Sequence, residues 1–110
     1  PEMFLYDAQR ATVLGEYGCI GLVLKEHLWE PDRNWGYVQF NTSKEATDKY
    51  MEYANVLKEL IPRGFSAAVY TQTTDVEVEV NGLLTYDRKV IKLDEKTLRK
   101  MNKEICDALK

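Results

Sequence analysis

The sequence predicts an α/β fold in which two short parallel strands are each followed by a helix. Three observations carry that expectation. Two continuous apolar runs, Ala11-Thr12-Val13-Leu14 and Phe65-Ser66-Ala67-Ala68-Val69-Tyr70, read as strands buried on both faces. Between them Ala46, Tyr50, Tyr53, Ala54, Leu57, Leu60 and Ile61 recur at helical spacing. Beyond the second run, Leu98, Met101, Ile105, Ala108 and Leu109 form another helical stripe.

Residues 1–10 (Pro1 to Arg10) are mixed in character and read as a short helix or loop. Residues 15–41 hold four glycines, Pro31 and both tryptophans with no clean period, which predicts a long structured loop. Thr42 and Glu45, three apart, make a capping box for the first helix, and Pro62 with Gly64 stops it. Strand, helix and strand in that order make a βαβ unit, which implies parallel pairing and a right-handed crossover. Asp94 is the expected N-cap of the last helix. Val76-Glu77-Val78-Glu79-Val80 alternates perfectly and runs into Asn81-Gly82, a pattern that by itself predicts a β-hairpin over 76–90.

Composition narrows the function classes. With 110 residues, 45% of them hydrophobic, the chain makes one domain at most, 1–110. A net charge of −3 and a pI near 5.2 argue against nucleic-acid and anionic-membrane partners, because the basic residues from Arg88 to Lys103 alternate with acidic ones. No apolar run is long enough to cross a bilayer. The chain opens on Pro1 and not Met, so it reads as a piece of something longer, and it names no compartment. Cys19 and Cys106 form no C-x-x-C pair and read as buried thiols.

The candidate chemistry gathers at the strand ends. Parallel α/β folds place reactive groups at the carboxyl edge of the sheet. Glu16 follows the first strand between Gly15 and Gly18, which suits either a catalytic carboxylate or a solvated, capping one. Tyr70, Gln72 and Asp75 end the second strand on the same edge, where they would hold substrate hydroxyls or cap the strand. His27 is the only histidine, and without a second ligand it suits a structural or substrate contact better than a metal. Trp29 and Trp35 bracket Pro31-Asp32-Arg33-Asn34, either as loop packing or as a platform for a sugar face. Gly15, Gly18 and Gly21 fit neither dinucleotide nor phosphate loop, so no cofactor is expected. No serine or cysteine has a histidine partner at triad spacing.

"VLGEYGCIGL", "EHLWEPDRNWGY" and "GFSAAVYTQTTDVEVEVNGLLTYDRKVIK" together resemble the end of the catalytic barrel of family-two glycoside hydrolases, the β-galactosidase and β-glucuronidase relatives. The resemblance spans residues 11–110. It implies a partial (β/α)8 barrel in which the two strand–helix pairs are β7-α7-β8-α8 of the whole. It further implies that Glu16, in the family's G/S-E-[FY]-G motif, is the nucleophile of a retaining β-glycosidase, with Tyr70, Gln72 and Asp75 beside the sugar site, while His27, Trp29 and Trp35 are candidate substrate contacts on the residue reading above. On the same ground residues 76–90 become mostly an extended loop with a local turn. The family's acid/base is a Glu directly after an Asn, and no Asn-Glu pair occurs in this sequence. A whole barrel also needs about 250 residues. The expectation is therefore a piece inactive in isolation whose open strand edges promote self-association. The alternative is a free-standing α/β carbohydrate-binding or assembly module.

Overall fold

Thr12–Gly18 forms β1, Ile20–Leu22 β2, Val38–Phe40 β3, Ser43–Leu60 the helix α1, Phe65–Thr71 β4 and Glu95–Cys106 the helix α2. The computed structural model describes residues 7–110. Of the amino-terminal stretch expected to be helix or loop, residues 1–6 lie outside the described residues. Asp7 to Arg10 close a turn, in which the Arg10 amide donates to the Asp7 carbonyl at 3.1 Å.

β1 and β4 pair in parallel, from Thr12 opposite Phe65 to Gly18 opposite Thr71. The chain is thus a small α/β fold with α1 between its two paired strands. The register shifts between Leu14 and Tyr17. That bulge matters because Leu14 and Tyr17 are three apart, yet both are half-buried, while Val13, Gly15 and Glu16 are exposed. An extra residue in the strand lets an odd spacing keep one face.

The long stretch expected as a loop holds a second sheet. β2 and β3 pair in parallel, Ile20 with Val38 through Leu22 with Phe40, and the three β2 residues are buried. Three residues carry too little periodicity to announce a strand.

The expected caps form. Thr42 Oγ1 accepts from the Glu45 amide at 3.1 Å, while Glu45 Oε2 reaches back to the Asn41 amide at 3.0 Å. After α1 a single 3₁₀ turn through Ile61–Arg63 ends on Gly64, whose φ of 110° is left-handed, a conformation glycine adopts freely. Asp94 caps α2 by accepting from the Thr97 amide at 3.1 Å. The helix stops at Cys106, so Ala108 and Leu109 of the predicted stripe lie beyond it, and Cys106 is exposed where a buried thiol was expected. The helices are tied by Tyr50 Oη donating to Asn102 Oδ1 at 2.6 Å and by a Lys58–Glu104 ion pair.

The expected hairpin over 76–90 with its turn at Asn81-Gly82 is replaced by a ladder of short rungs. The reversal occurs at Glu77, φ 51°, where the Val76 and Glu79 backbones exchange both hydrogen bonds. Residues 81–84 then run beside 72–75: the Gln72 amide donates to the Asn81 carbonyl at 3.2 Å, and the Leu83 amide to the Gln72 carbonyl at 3.0 Å. Gly82 serves close approach here, not a turn. A Cβ at that position would stand 2.1 Å from the Asp75 nitrogen.

The hydrophobic core is Ile20, Leu22, Ala46, Tyr50, Leu93 and Leu98, so it lies among β2, α1 and α2. β1 and β4, expected to be buried on both faces, are largely open, and Ser66 to Val69 of β4 are exposed one after another. Val13 and Val69 are 50% and 53% exposed. Among the described residues this sheet has two strands, β1 and β4.

Candidate functional site at the carboxyl edge of β1 and β4

The parallel pairing brings the ends of β1 and β4 to one edge, and the segment 78–82 closes against it. The Cys19 amide donates to the Thr71 carbonyl at 2.9 Å, joining the end of β1 to the end of β4. The Leu22 amide donates to the Val80 carbonyl at 3.0 Å, and Val80 N–H to the Trp35 carbonyl at 2.9 Å. Glu16, Gln72, Trp35, Glu79 and Asn81 are thereby held on neighbouring stretches of backbone. The Cys19 thiol feels both acidic side chains of this group: burial pushes its pKa up, and Glu16 and then Glu79 push it further.

Glu16 sits in the bulge of β1 and is exposed; Gly15 beside it has open space where a side chain would stand. Glu79 is half-buried, and its Oε1 accepts from Asn81 Nδ2 at 3.1 Å. Asn81 is fully buried, with its Oδ1 against the backbones of Gly21 and Gly36. A Cβ on Gly36 would approach that oxygen to 2.8 Å. Three buried polar atoms have no hydrogen-bond partner among the described residues: Tyr70 Oη, Gln72 Nε2 and Asn81 Oδ1. Buried polar atoms are nearly always satisfied, so the Gln72 and Asn81 orphans, on neighbouring rungs just beyond β4, mark a polar site.

Tyr70 and Asp75 are placed differently from the expectation of a sugar-facing pair. Tyr70 turns toward α1 in an aromatic cluster, with ring centroids 5.4 Å from Tyr17 and 5.2 Å from Tyr50. Its ring fills the space that a side chain on Gly18 would need, 2.5 Å from a Cβ there. Burial raises its pKa strongly, with Tyr50 and Tyr17 adding to the effect; burial also raises that of Tyr17, to about 12. Asp75 points into the protein. Its Oδ1 accepts from Lys92 Nζ at 2.7 Å and from the Gly82 amide at 2.8 Å, and Lys92 also donates to the Val80 carbonyl at 3.0 Å. The two side chains are 4% and 0% exposed. Burial pushes the carboxyl up and the ammonium down, and each partner pulls the other back toward its charged form. The pair pins the loop ladder behind the edge.

His27 and Trp29 belong to a neighbouring cluster. His27 Nδ1 lies 2.8 Å from Asp87 Oδ2, while Asp87 Oδ1 accepts from Thr85 Oγ1 at 2.5 Å and from the Lys89 amide at 3.0 Å. These bonds, led by His27, hold the Asp87 carboxyl below the usual carboxylate range. Trp29 meets Tyr86 edge to face at 5.6 Å, and Trp35 meets Tyr37 at 5.2 Å. Trp29 remains 59% and Trp35 41% exposed, so both rings are braced yet open to a ligand.

Glu79 and Asn81 were not legible as site residues, because the alternation and the Asn-Gly pair are the signal of a hairpin. No group of three metal-ligating side chains is assembled among the described residues. No helix among them is long and apolar enough to cross a membrane. Two concavities lie away from this edge, one by Phe65, Ile105 and Cys106 at the amino end of β4 and another over Phe40 and Glu45. No family model matches this sequence, and no curated protein matches it significantly.

Proposed function

We propose that this chain is the carboxyl-terminal part of the (β/α)8 catalytic barrel of a retaining β-glycosidase, with Glu16 as the nucleophile. One observation carries the reading: Glu16 stands exposed in a bulge at the carboxyl end of a parallel strand whose partner strand leads into Gln72 and Asn81, buried polar groups each with an atom that has no hydrogen-bond partner among the described residues. Bulges re-aim side chains beside active sites, and carboxyl edges are where parallel α/β enzymes react. The solvent-exposed surface of β1 and β4 is what a barrel segment presents when its neighbouring strands are not beside it.

In a retaining mechanism one carboxyl group protonates the leaving oxygen while the other attacks the anomeric carbon, the two standing about 5–5.5 Å apart. Glu16 takes the attacking role. The proton donor comes from another strand of the barrel, so residues 1–110 alone bind but do not hydrolyse. The experiment is Glu16→Gln in the full-length protein. Loss of aryl β-glycoside hydrolysis by several orders of magnitude is expected, and unchanged turnover would sink the assignment.

The exposed Trp29 and Trp35 favour a second reading, a carbohydrate-binding or assembly module without catalysis. Under it the Glu16→Gln protein keeps whatever sugar affinity the wild type has, and the wild type cleaves no aryl glycoside.

A further inference from the structure

The two tryptophans are held by different means. Trp35 is fixed through its backbone, which donates to the Val78 carbonyl and accepts from the Val80 amide, both at 2.9 Å. Trp29 is held through side chains. His27 closes a single 3₁₀ turn, Lys25–His27, its amide donating to the Leu24 carbonyl at 2.9 Å, and Trp29 follows two residues later. Opposite stands the turn 85–90. Thr85 N–H donates to the Val90 carbonyl at 3.0 Å, and Arg88 N–H donates to the Thr85 carbonyl at 2.9 Å. Thr85 is fully buried and its hydroxyl donates to Asp87 Oδ1, so the Asp87 carboxylate is a fixed point on a rigid turn.

Two consecutive residues of that turn meet the histidine segment. Asp87 Oδ2 lies 2.8 Å from His27 Nδ1, and the Tyr86 ring meets the Trp29 indole edge to face at 5.6 Å. The Asp87 carboxyl is held below the usual carboxylate range, so it only accepts, and Nδ1 carries the proton. A hydrogen bond to a charged partner is stronger and more directional than a ring contact. The His27–Asp87 bond therefore sets where residues 27–29 lie on the turn, and Tyr86 then sets the plane of the indole. The clamp leaves the ring accessible within this chain, at 59% exposure.

We propose that His27 is a positioning residue: anchored on Asp87, it holds Trp29 against Tyr86 as a preoriented stacking face for a sugar ring, and it does not itself touch the sugar. The substrate class rests on the glycosidase reading; the clamp rests on the contacts among His27, Trp29, Tyr86 and Asp87. A ring already fixed in its bound orientation loses less freedom when a ligand stacks on it. Bound substrate and transition state share that benefit, so it lowers KM and leaves kcat nearly unchanged.

The test uses the full-length protein as wild type, His27→Ala and His27→Asn, the last keeping a side-chain N–H near the place of Nδ1. KM and kcat are measured for an aryl β-glycoside. Fluorine NMR of fluorotryptophan-labelled protein follows Trp29, its line assigned by its loss in Trp29→Phe. His27→Ala is expected to raise KM about twofold to tenfold with kcat changed by less than about twofold. The Trp29 line is expected to move in His27→Ala, and His27→Asn to restore both the line and KM. A fall in kcat at unchanged KM would put His27 at the reacting atoms and overturn the proposal. So would an unmoved Trp29 line in folded His27→Ala, or a KM that His27→Asn does not restore. Should His27→Ala not fold, His27→Leu keeps the bulk without the donor, and the same readouts decide. If the wild type cleaves no aryl β-glycoside, the glycosidase reading fails, while the Trp29 line still decides whether His27 positions the ring.

Discussion

The two parallel sheets are built from similar backbone and live in opposite surroundings. β2 has three buried residues, with α1, Leu93 and Leu98 packed around Ile20 and Leu22. β1 and β4 are more than twice as long, yet much of their surface faces solvent. Strand length therefore does not locate the core; the helices do. α1 and α2 cover β2, and α1 meets the carboxyl end of the longer sheet through tyrosines, Tyr17 and Tyr70 against Tyr50 and Tyr53. The rigid half holds the loop ladder. The open half carries Glu16.

This contrast can be broken most sharply at Lys92, the pin of the rigid half. Lys92→Met leaves Asp75 buried and unpaired, and a loss of about 3–5 kcal/mol in urea-induced unfolding is expected. A loss under about 1 kcal/mol would show that the ladder does not depend on the pair.

A second comparison sets one residue of each sheet side by side. Ile20→Ala in the core is expected to cost about 2–5 kcal/mol, and Val69→Ala on the open face about 0.5 kcal/mol or less. Sedimentation sharpens the point. If the open face associates with further copies of the chain, Val69→Lys shifts the chain toward monomer. Equal stability losses for the two alanine variants would erase the distinction between the sheets.

The smallest effect lies at Asp87. Its folded-state pKa is depressed, so its contribution to stability is present above the unfolded carboxylate pKa of about 3.9 and is lost as pH falls below it. His27→Ala removes the first cause of that depression. The variant is expected to show a shallower loss of melting temperature between pH 5 and pH 3, at roughly those values, than the wild type. An identical acid profile would mean that Thr85 and the Lys89 amide hold the carboxylate without the histidine.

Local chemistry was readable from the residues. The capping box at Thr42 and Glu45, the stop at Pro62 and Gly64, the Asp94 cap and the apolar runs of β1 and β4 each follow from interactions within a few positions of chain. Glu16 as an exposed carboxylate at the end of β1 belongs with them.

What depended on partners far along the chain was decided only in three dimensions. Asn81-Gly82 carries the signal of a turn, yet Gly82 is needed because the Thr74–Asp75 backbone lies against it, and the reversal moves to Glu77. Asp75 looked like a polar strand end and became half of a buried pair, because Lys92, seventeen positions on, points at it. Tyr70 turned to the helix side because Tyr50 waits there. Caps and periodicity are written in neighbouring residues. Burial is a property of what the whole chain folds against, and it chose which of the polar groups at this edge face solvent.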